Sequence, residues 1–345
     1  MIRAIGARLT WDKLVPLLLV LTIVVGTRVE PRFGRGGNLA FVVQDIGEIM
    51  LIAFAMTLVI MTGEIDLSVA STAALASCVL GWAFAHGVPI WFAVLLALVT
   101  GLVCGAVNGL LITSLGLPSL AVTIGTLALF RGLCWALLGD EPVASYPESW
   151  TRLGSGRFPH TYIPYLAPLL LVCAIAFTVL LHATRSGRWI VAIGQSAEAA
   201  MFAGIPVARV KRRLFLLSGV FSALAGVVYT MRFASSRPDG AVGFELLVIA
   251  AVLFGGVSIF GGAGTMWGVI CAVLFLGALR SLLLLQKVPP NALNIITGGL
   301  LLASVVVPAV IAALPRRRKP LISKELPCEP DSLARSPQRQ PSSSP

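Results

Sequence analysis

The sequence predicts an all-α, polytopic membrane protein with about ten transmembrane helices, and two observations support this prediction. Of the 345 residues, 57% are hydrophobic and only 12% are charged, whereas soluble domains carry about 25% charged residues. Residues 67–130 contain no Asp, Glu, Lys or Arg, and neither do residues 246–279 and 288–315. Because one helical crossing needs about 20 mainly apolar residues, the first run alone is long enough for three crossings.

The boundaries of the spans are predicted where Gly, Pro or charged residues interrupt the apolar pattern. In chain order, the predicted spans are Leu14–Gly26, Phe41–Thr62, Leu67–Ala85, Pro89–Thr113, Pro118–Leu138, Tyr162–Leu181, Leu214–Met231, Phe244–Ile259, Gly264–Leu285 and Asn291–Leu314. The first segment is expected to be a retained helix rather than a cleaved signal peptide, because no clear small-x-small cleavage site follows it.

The distribution of basic residues predicts that both termini are cytoplasmic. With the N-terminus inside, and counting as far as Lys319, 13 Lys and Arg residues fall on the inner side of the membrane and 8 on the outer side. This excess on the inner side agrees with the positive-inside rule. An even number of spans then returns the C-terminus to the same side. The net charge of +11 lies in the short gaps between spans, so we expect no binding to nucleic acid.

Two domains are expected. Residues 1–314 form the transmembrane domain, within which residues 182–213 are a long cytoplasmic segment. Residues 315–345 are rich in Pro, Ser and Arg and cannot bury a core, so a disordered cytoplasmic tail is predicted there.

The first candidate site lies at residues 61–68, between the second and third predicted spans. Glu64 and Asp66 are carboxylates inside an apolar stretch, and such residues are functional candidates in membrane proteins. Asp66 or Ser68 is suited to cap the N–H groups that open the third helix. The alternative is a broken helix end that lines a solute path.

Further polar residues lie within or at the ends of the apolar spans: Glu48, Asn108, Arg131 and Glu245. A charge at the bilayer centre costs at least about 2.5–3.5 kcal/mol, so these side chains should face the bundle interior. Arg131 can either form a structural pair with Glu48 or Glu245 or line a path.

A second candidate site is the hydrophilic segment 184–213. It contains Glu198, Ala199 and Ala200, followed by Gly204. The alanines favour a short helix, and the glycine and the proline two residues later are expected to end it. From the residues alone, an amphipathic helix at the membrane surface is the alternative to a docking element.

The glycine-rich segment 255–264 does not indicate a nucleotide site. A phosphate-binding P-loop needs Lys-Ser or Lys-Thr after its glycines, and neither dipeptide occurs in the chain. These glycines instead suit close helix packing or a break between two spans. Energy for any ATP-driven process must therefore come from a partner.

Four segments resemble the ribose-type permeases of ABC sugar importers. They are GEIDLSVAS at 63–71, GAVNGLLIT at 105–113, LPSLAVTIGTLALFRGL at 117–133 and GFELLVIAAVLFGGVSIFGGAGT at 243–265. The last two are most similar to permeases for rhamnose and autoinducer-2. The resemblance extends from about Asp45 to about Val307, and Glu64 replaces the second glycine of the usual pattern.

The resemblance implies a permease subunit in a bacterial inner membrane, with no cofactor and no enzymatic activity of its own. The implied partners are ATPase subunits, an extracytoplasmic solute-binding protein and a second permease copy or paralogue. The expected path residues are Glu48, Glu64, Asp66, Ser68, Asn108 and Arg131. The expected ATPase-coupling residues, in a loop similar to that of ABC importer permeases, are Glu198, Ala199, Ala200 and Gly204.

Two other functional classes are compatible with the sequence. An ion-coupled secondary transporter would use Glu64 and Asp66 as proton or sodium sites at a broken helix. A membrane-embedded enzyme is the weaker alternative, because no metal cluster and no Ser/His or Cys/His set can be assembled from the sequence.

Overall fold

The computed structural model describes residues 11–289 and the five positions 292, 295, 298, 299 and 302. This part of the chain is helical, with two isolated β-bridges and no longer strand. Its helices are α1 (Trp11–Val29), α2 (Gly36–Asp45), α3 (Gly47–Met61), α4 (Val69–Ala85), α5 (Ile90–Ser114), α6 (Ser119–Leu138), α7 (Glu148–Ser155), α8 (Ala167–Ala183), α9 (Arg185–Gln195), α10 (Ala197–Phe202), α11 (Val207–Phe233), α12 (Phe244–Phe254) and α13 (Met266–Leu285).

The described residues contain four to six helical segments that are long and apolar enough to cross a membrane. Four are single helices: α5, α6, α11 and α13. Two more are bent pairs, α2 with α3 at 48° and α8 with α9 at 66°. The predicted number of ten is therefore not confirmed, and the tenth predicted span, Asn291–Leu314, lies almost entirely outside the described residues.

Two of the predicted spans are broken. The second, Phe41–Thr62, bends at Ile46, where α2 ends and α3 begins. The eighth, Phe244–Ile259, is helical only as far as Phe254. Gly256 follows with a φ of +87°, a left-handed conformation that ends the helix and that glycine adopts without strain.

Helix α3 is the centre of the bundle, since all 15 of its residues are buried. Helix α11 packs beside it, and α5 packs against α11 through small residues. A Cβ atom at Gly101 would lie 2.3 Å from the carbonyl oxygen of Gly219, and one at Gly219 would lie 2.1 Å from that of Gly101. Small residues of this kind let the backbones of two membrane helices approach each other.

The bundle has two polar ends, which we name after two residues of α11. At the Lys211 end, Lys211 pairs with Glu64, and the N–H of Met266 donates to His182 Nε2 at 3.3 Å. At the Arg232 end, Arg232 pairs with carboxylates of the α2–α3 region. The two α11 residues are 21 positions apart, or about 31 Å along a helix, which matches a hydrocarbon core of about 30 Å.

Candidate functional site

The break between α2 and α3 is filled by one guanidinium group. Nη1 of Arg232 donates to the carbonyl oxygens of Gln44 at 3.2 Å and Asp45 at 3.3 Å, and to Glu48 Oε2 at 2.9 Å. Its Nη2 donates to Asp45 Oδ1 at 2.6 Å. The bend at Ile46 thus presents main-chain oxygens and carboxylates to the same arginine. We call Asp45, Glu48, Arg232 and Arg280 the Arg232 cluster.

Two positive and two negative charges balance within this cluster. Arg280 Nη1 lies 3.3 Å from Asp45 Oδ2 and completes the second pair. The side chain of Glu48 is 0% exposed, so its charge depends on Arg232 for compensation. Removing one partner of a buried pair leaves an uncompensated charge, which is strongly destabilising. A cavity of about 220 Å³ opens beside the cluster, lined by Asp45, Ile49, Tyr229, Arg232, Phe233, Asp239, Ala241, Val242, Phe244 and Arg280.

A second polar cluster occupies the turn between α3 and α4. Asp66 Oδ1 accepts the N–H of Ser68 at 3.0 Å and its hydroxyl at 2.7 Å. Oδ2 of Asp66 accepts the hydroxyl of Ser218 at 2.8 Å. Asn108 Nδ2 donates to Ser68 Oγ at 2.8 Å. We call these four residues the Asp66 cluster.

The Asp66 cluster is buried and contains no cation. Each of its four residues is at most 2% exposed, and among the described residues no Lys, Arg or His forms an ion pair with Asp66. The carboxylate is bonded only by hydroxyl and main-chain donors and lies close to the N-terminus of α4. A helix N-terminus carries partial positive charge and stabilises a nearby carboxylate. Asp66, Ser68 and Asn108 therefore meet one another rather than an open cavity.

Glu64 is bound at the same turn but near the surface of the Lys211 end. Oε1 of Glu64 accepts a hydrogen bond from Lys211 Nζ, and the two side chains are 14% and 18% exposed. The preceding Gly63 has a φ of +80°, so the turn has a glycine at the position that needs a left-handed backbone. Glu64 itself has no positive φ. Its carboxylate joins the turn to the first turns of α11.

The predicted pairing of Arg131 with Glu48 or Glu245 is wrong. Nη1 of Arg131 donates to the main-chain oxygens of Pro238 at 2.6 Å and Gly240 at 2.8 Å. These carbonyls belong to the loop between α11 and α12. Glu48 pairs with Arg232 instead, and Glu245 Oε2 has no hydrogen-bond partner among the described residues.

Four residues of these clusters were missed by the sequence interpretation: Asp45, Arg232, Arg280 and Ser218. Arg232 reads as one of several basic residues near the end of a span, and Ser218 as a small residue in an apolar helix. The position of Arg232 at the end of α11, beside the buried acids of a broken helix, is a signal only when the neighbouring helices are known. No local pattern marks Ser218.

The segment 182–213 folds into helices rather than an irregular loop. In α9, Ile190 and Ile193 are buried while Arg188 is exposed, as in an amphipathic helix at a membrane surface. Helix α10 follows directly, and α11 begins at Val207. The amphipathic interpretation of this segment therefore fits α9.

Helix α10 is fixed at both ends although it has only six residues. At its start, Ser196 Oγ accepts the N–H of Ala199 at 3.1 Å, an N-cap. At its end, the N–H of Ile205 donates to Ala200 O and that of Gly204 to Met201 O, both at 3.0 Å. With Gly204 at a φ of +81°, this is a Schellman motif, which confirms the predicted end of the helix.

The outer side of α10 is exposed and ends in apolar side chains. Glu198, Ala199 and Gly204 are exposed, while Ala200 is buried against the bundle. Phe202 is 85% exposed. A rigid helix that presents a large apolar side chain at a polar end of the molecule is suited to dock another protein.

Among the described residues, no group of three or more His, Cys, Asp or Glu side chains could hold a metal ion.

Comparison with known proteins gives one family and consistent relatives. Residues 38–305 match the family described as branched-chain amino acid transport system / permease component. The chain is 35% identical over 305 residues to the autoinducer 2 import system permease protein LsrD of Escherichia coli K12. The aligned region covers 87% of this chain and 92% of that protein. The proteins of the same name from Shigella flexneri and Escherichia coli O157:H7 match to the same extent. No solved structure matches.

Proposed function

This chain belongs to the family of branched-chain amino acid transport system permease components, and we propose from that premise how it moves its solute. It is a multi-pass membrane protein and the permease subunit of an ABC importer, not an enzyme. Nothing in the comparisons favours an ion-coupled transporter. Because the relatives import autoinducer 2, the proposed solute is a sugar-like molecule of that class.

We propose that the chain crosses a bacterial inner membrane about ten times with both termini in the cytoplasm. Four long helices and two bent pairs provide up to six candidate crossings. The three shorter apolar helices and the predicted span 291–314 are proposed as the other four. The excess of basic residues at the Lys211 end supports a cytoplasmic position for that end. Residues 315–345, proposed as a cytoplasmic tail, lie outside the described residues.

With this orientation, each proposed partner can be assigned to one end of the molecule. ATPase subunits bind at the Lys211 end, and a solute-binding protein binds at the Arg232 end. A second permease copy or a paralogue encloses the path together with this chain. Membership of a family of importer permease components supports the ATPase and solute-binding partners.

The proposed path runs along the two breaks that flank α3. Its polar residues are Glu48, Glu64, Asp66, Ser68, Asn108 and Arg131. In the present structure each of these side chains forms a hydrogen bond with a neighbour in the same chain, while Asn108 Oδ1 is buried without a hydrogen-bond partner among the described residues. Broken helices are common at transporter binding sites, since their free main-chain groups can contact a solute when the helices separate.

The proposed coupling element is α10, with Glu198, Ala199, Ala200 and Gly204. One observation carries this proposal: a six-residue helix that is capped at both ends and nevertheless exposes Phe202 by 85%. A docking helix must be rigid to transmit movement of the ATPase. Through α9 and α11 this movement reaches the turn that holds Glu64.

The experiment that tests this proposal compares two Gly→Ala variants. Gly204 (φ +81°) and Gly87 (φ +83°) both have left-handed backbones with open space around the missing Cβ, so alanine adds about 1–2 kcal/mol of local strain in each. We expect Gly204→Ala to lower ATPase co-purification and ATP-driven uptake, and Gly87→Ala, next to α4 at the Arg232 end, to change neither. Equal effects of the two variants would remove the support for α10 as the coupling element.

A further inference from the structure

The glycine-rich segment 255–265, which we call the Phe260 loop, is an ordered structure at the Lys211 end. The N–H of Ser258 donates to Ala263 O at 2.9 Å, and that of Gly261 donates to Ser258 O at 3.0 Å. Ser258 Oγ also accepts the N–H of Phe260 at 3.3 Å. These bonds close the loop on itself, so Phe260 lies at the tip of a compact turn.

The same loop is attached to two neighbouring helices. The N–H of Gly262 donates to Met61 O, the last residue of α3, at 2.9 Å. A Cβ atom at Gly262 would lie 2.9 Å from the main-chain nitrogen of Gln195, at the end of α9. Gly261 and Gly262 have φ values of +83° and +73°, which glycine adopts without strain. The position of the loop is therefore set by close main-chain contacts that no other residue type permits.

This ordered loop holds Phe260 in the open. Phe260 is 89% exposed, and Phe202 at 85% is the next most exposed large hydrophobic residue in the described part of the chain. Both lie at the polar Lys211 end rather than along the lipid-facing sides of the long helices. Exposed apolar groups at a polar surface indicate a site of protein interaction.

The Phe260 loop and α10 form one continuous surface. Gln195 lies against Gly262 and directly precedes Ser196, the N-cap of α10. We propose that Phe260 is a second contact for the ATPase subunit that docks on α10, inserted into an apolar recess of that subunit. This inference rests on the proposed function. Continuity with the α10 surface favours the ATPase over a second permease copy as the occupant.

A contact at Phe260 gives the ATPase a direct connection to the solute path. The loop is bonded to Met61, which is followed at once by the turn carrying Glu64 and the Asp66 cluster. Movement of the ATPase therefore reaches the α3–α4 break from two sides: from α10 through α9 and α11, and from Phe260 through the end of α3.

Site-specific photo-crosslinking in the assembled importer tests the proposal. A benzoylphenylalanine residue is placed at position 260, at position 202 and, as a control, at position 92, each replacing a phenylalanine. Phe92 is also exposed, at 64%, but it begins α5 at the end opposite to α10. Crosslinked products in membranes are separated by size and identified by mass spectrometry. We expect positions 202 and 260 to crosslink to the P-loop ATPase chain and position 92 to give no such product.

The outcomes separate this inference from the proposed function. An ATPase product at position 202 but not at 260 overturns the role of Phe260 and leaves α10 docking intact. A product at 260 with the mass of two permease chains assigns the loop to contact between copies and also overturns the proposal. No ATPase product at either position contradicts the proposed function itself. A Phe260→Ala variant should in addition lower ATP-driven uptake, while Phe92→Ala should leave it unchanged.

Discussion

The two breaks that flank α3 are filled by different chemistry. At Ile46, Arg232 bonds two main-chain oxygens and the two carboxylates of Asp45 and Glu48. At the turn before α4, Asp66 is bonded by two hydroxyls and one main-chain N–H, with no cation paired to it among the described residues. The first arrangement depends on charge compensation, and the second on neutral donors.

This difference indicates which break can change shape during transport. Charges buried together are costly to separate, because each loses its partner in a poorly solvated environment. Hydroxyl groups can exchange one neutral partner for water or for a solute hydroxyl at a net difference of about 1 kcal/mol. We therefore expect the Arg232 cluster to hold its geometry and the Asp66 cluster to rearrange as the ATPases act.

The largest predicted effect is at the Arg232 cluster. Arg232→Met leaves Glu48 buried without its cation and should lower the free energy of unfolding by about 3–5 kcal/mol. Thermal unfolding of the purified protein in detergent measures the loss. The matched control is Arg237→Met, because Arg237 pairs with Asp239 at the surface with both side chains about half exposed, and exposed pairs contribute about 0–1 kcal/mol. Similar losses in both variants would contradict the structural role of Arg232.

A smaller effect is predicted at the Asp66 cluster. Ser218→Ala removes the hydroxyl that donates to Asp66 Oδ2 and should cost about 1–3 kcal/mol, because a buried acceptor is left unpaired. Ser222→Ala is the control, since Ser222 lies one turn further along α11, is fully buried and has an Oγ with no hydrogen-bond partner among the described residues. The same unfolding assay should show little change for this second variant. A larger loss for Ser222→Ala than for Ser218→Ala would contradict the assigned hydrogen bonds.

The smallest predicted effect is at the Glu64–Lys211 pair. The side chains of this pair are 14% and 18% exposed, whereas Glu48 in the Arg232 cluster is fully buried. A double-mutant cycle of Glu64→Gln and Lys211→Met should therefore give a coupling energy of about 1 kcal/mol, the upper end of the range for exposed pairs. Higher salt should reduce that coupling, because partly exposed charges are screened. A coupling as large as the loss in Arg232→Met would show that the two ends do not differ in the way described.

Most of the long helices could be predicted from the sequence because apolar length is a local property. The exception is α11, which begins at Val207 rather than at the predicted Leu214, because the helix continues through the basic segment 209–213. The predicted spans Pro89–Thr113 and Pro118–Leu138 differ from α5 and α6 by one residue at most at each end. The end of α10 could be predicted for the same reason, since Gly204 and the following proline act locally. The short helix α12 was predicted too long because a glycine-rich run is compatible with either close helix packing or a loop.

The polar pairings could not be predicted because they depend on which helices are neighbours. Arg131 and Glu48 both appear as isolated charges in apolar segments, yet Arg131 binds loop carbonyls and Glu48 binds Arg232. The partner of Asp66 on α11 is a serine, which no pattern separates from the other small residues of that helix. Packing decides these contacts, and a single sequence does not specify the packing.

Transport by the reconstituted protein tests the central claim most directly. The chain is placed in liposomes with and without its ATPase subunit and solute-binding protein, and accumulation of labelled autoinducer-2 is followed with ATP on the ATPase side or with an ion gradient alone. The account predicts accumulation only in the complete assembly with ATP. Accumulation by this chain alone under the ion gradient would contradict it.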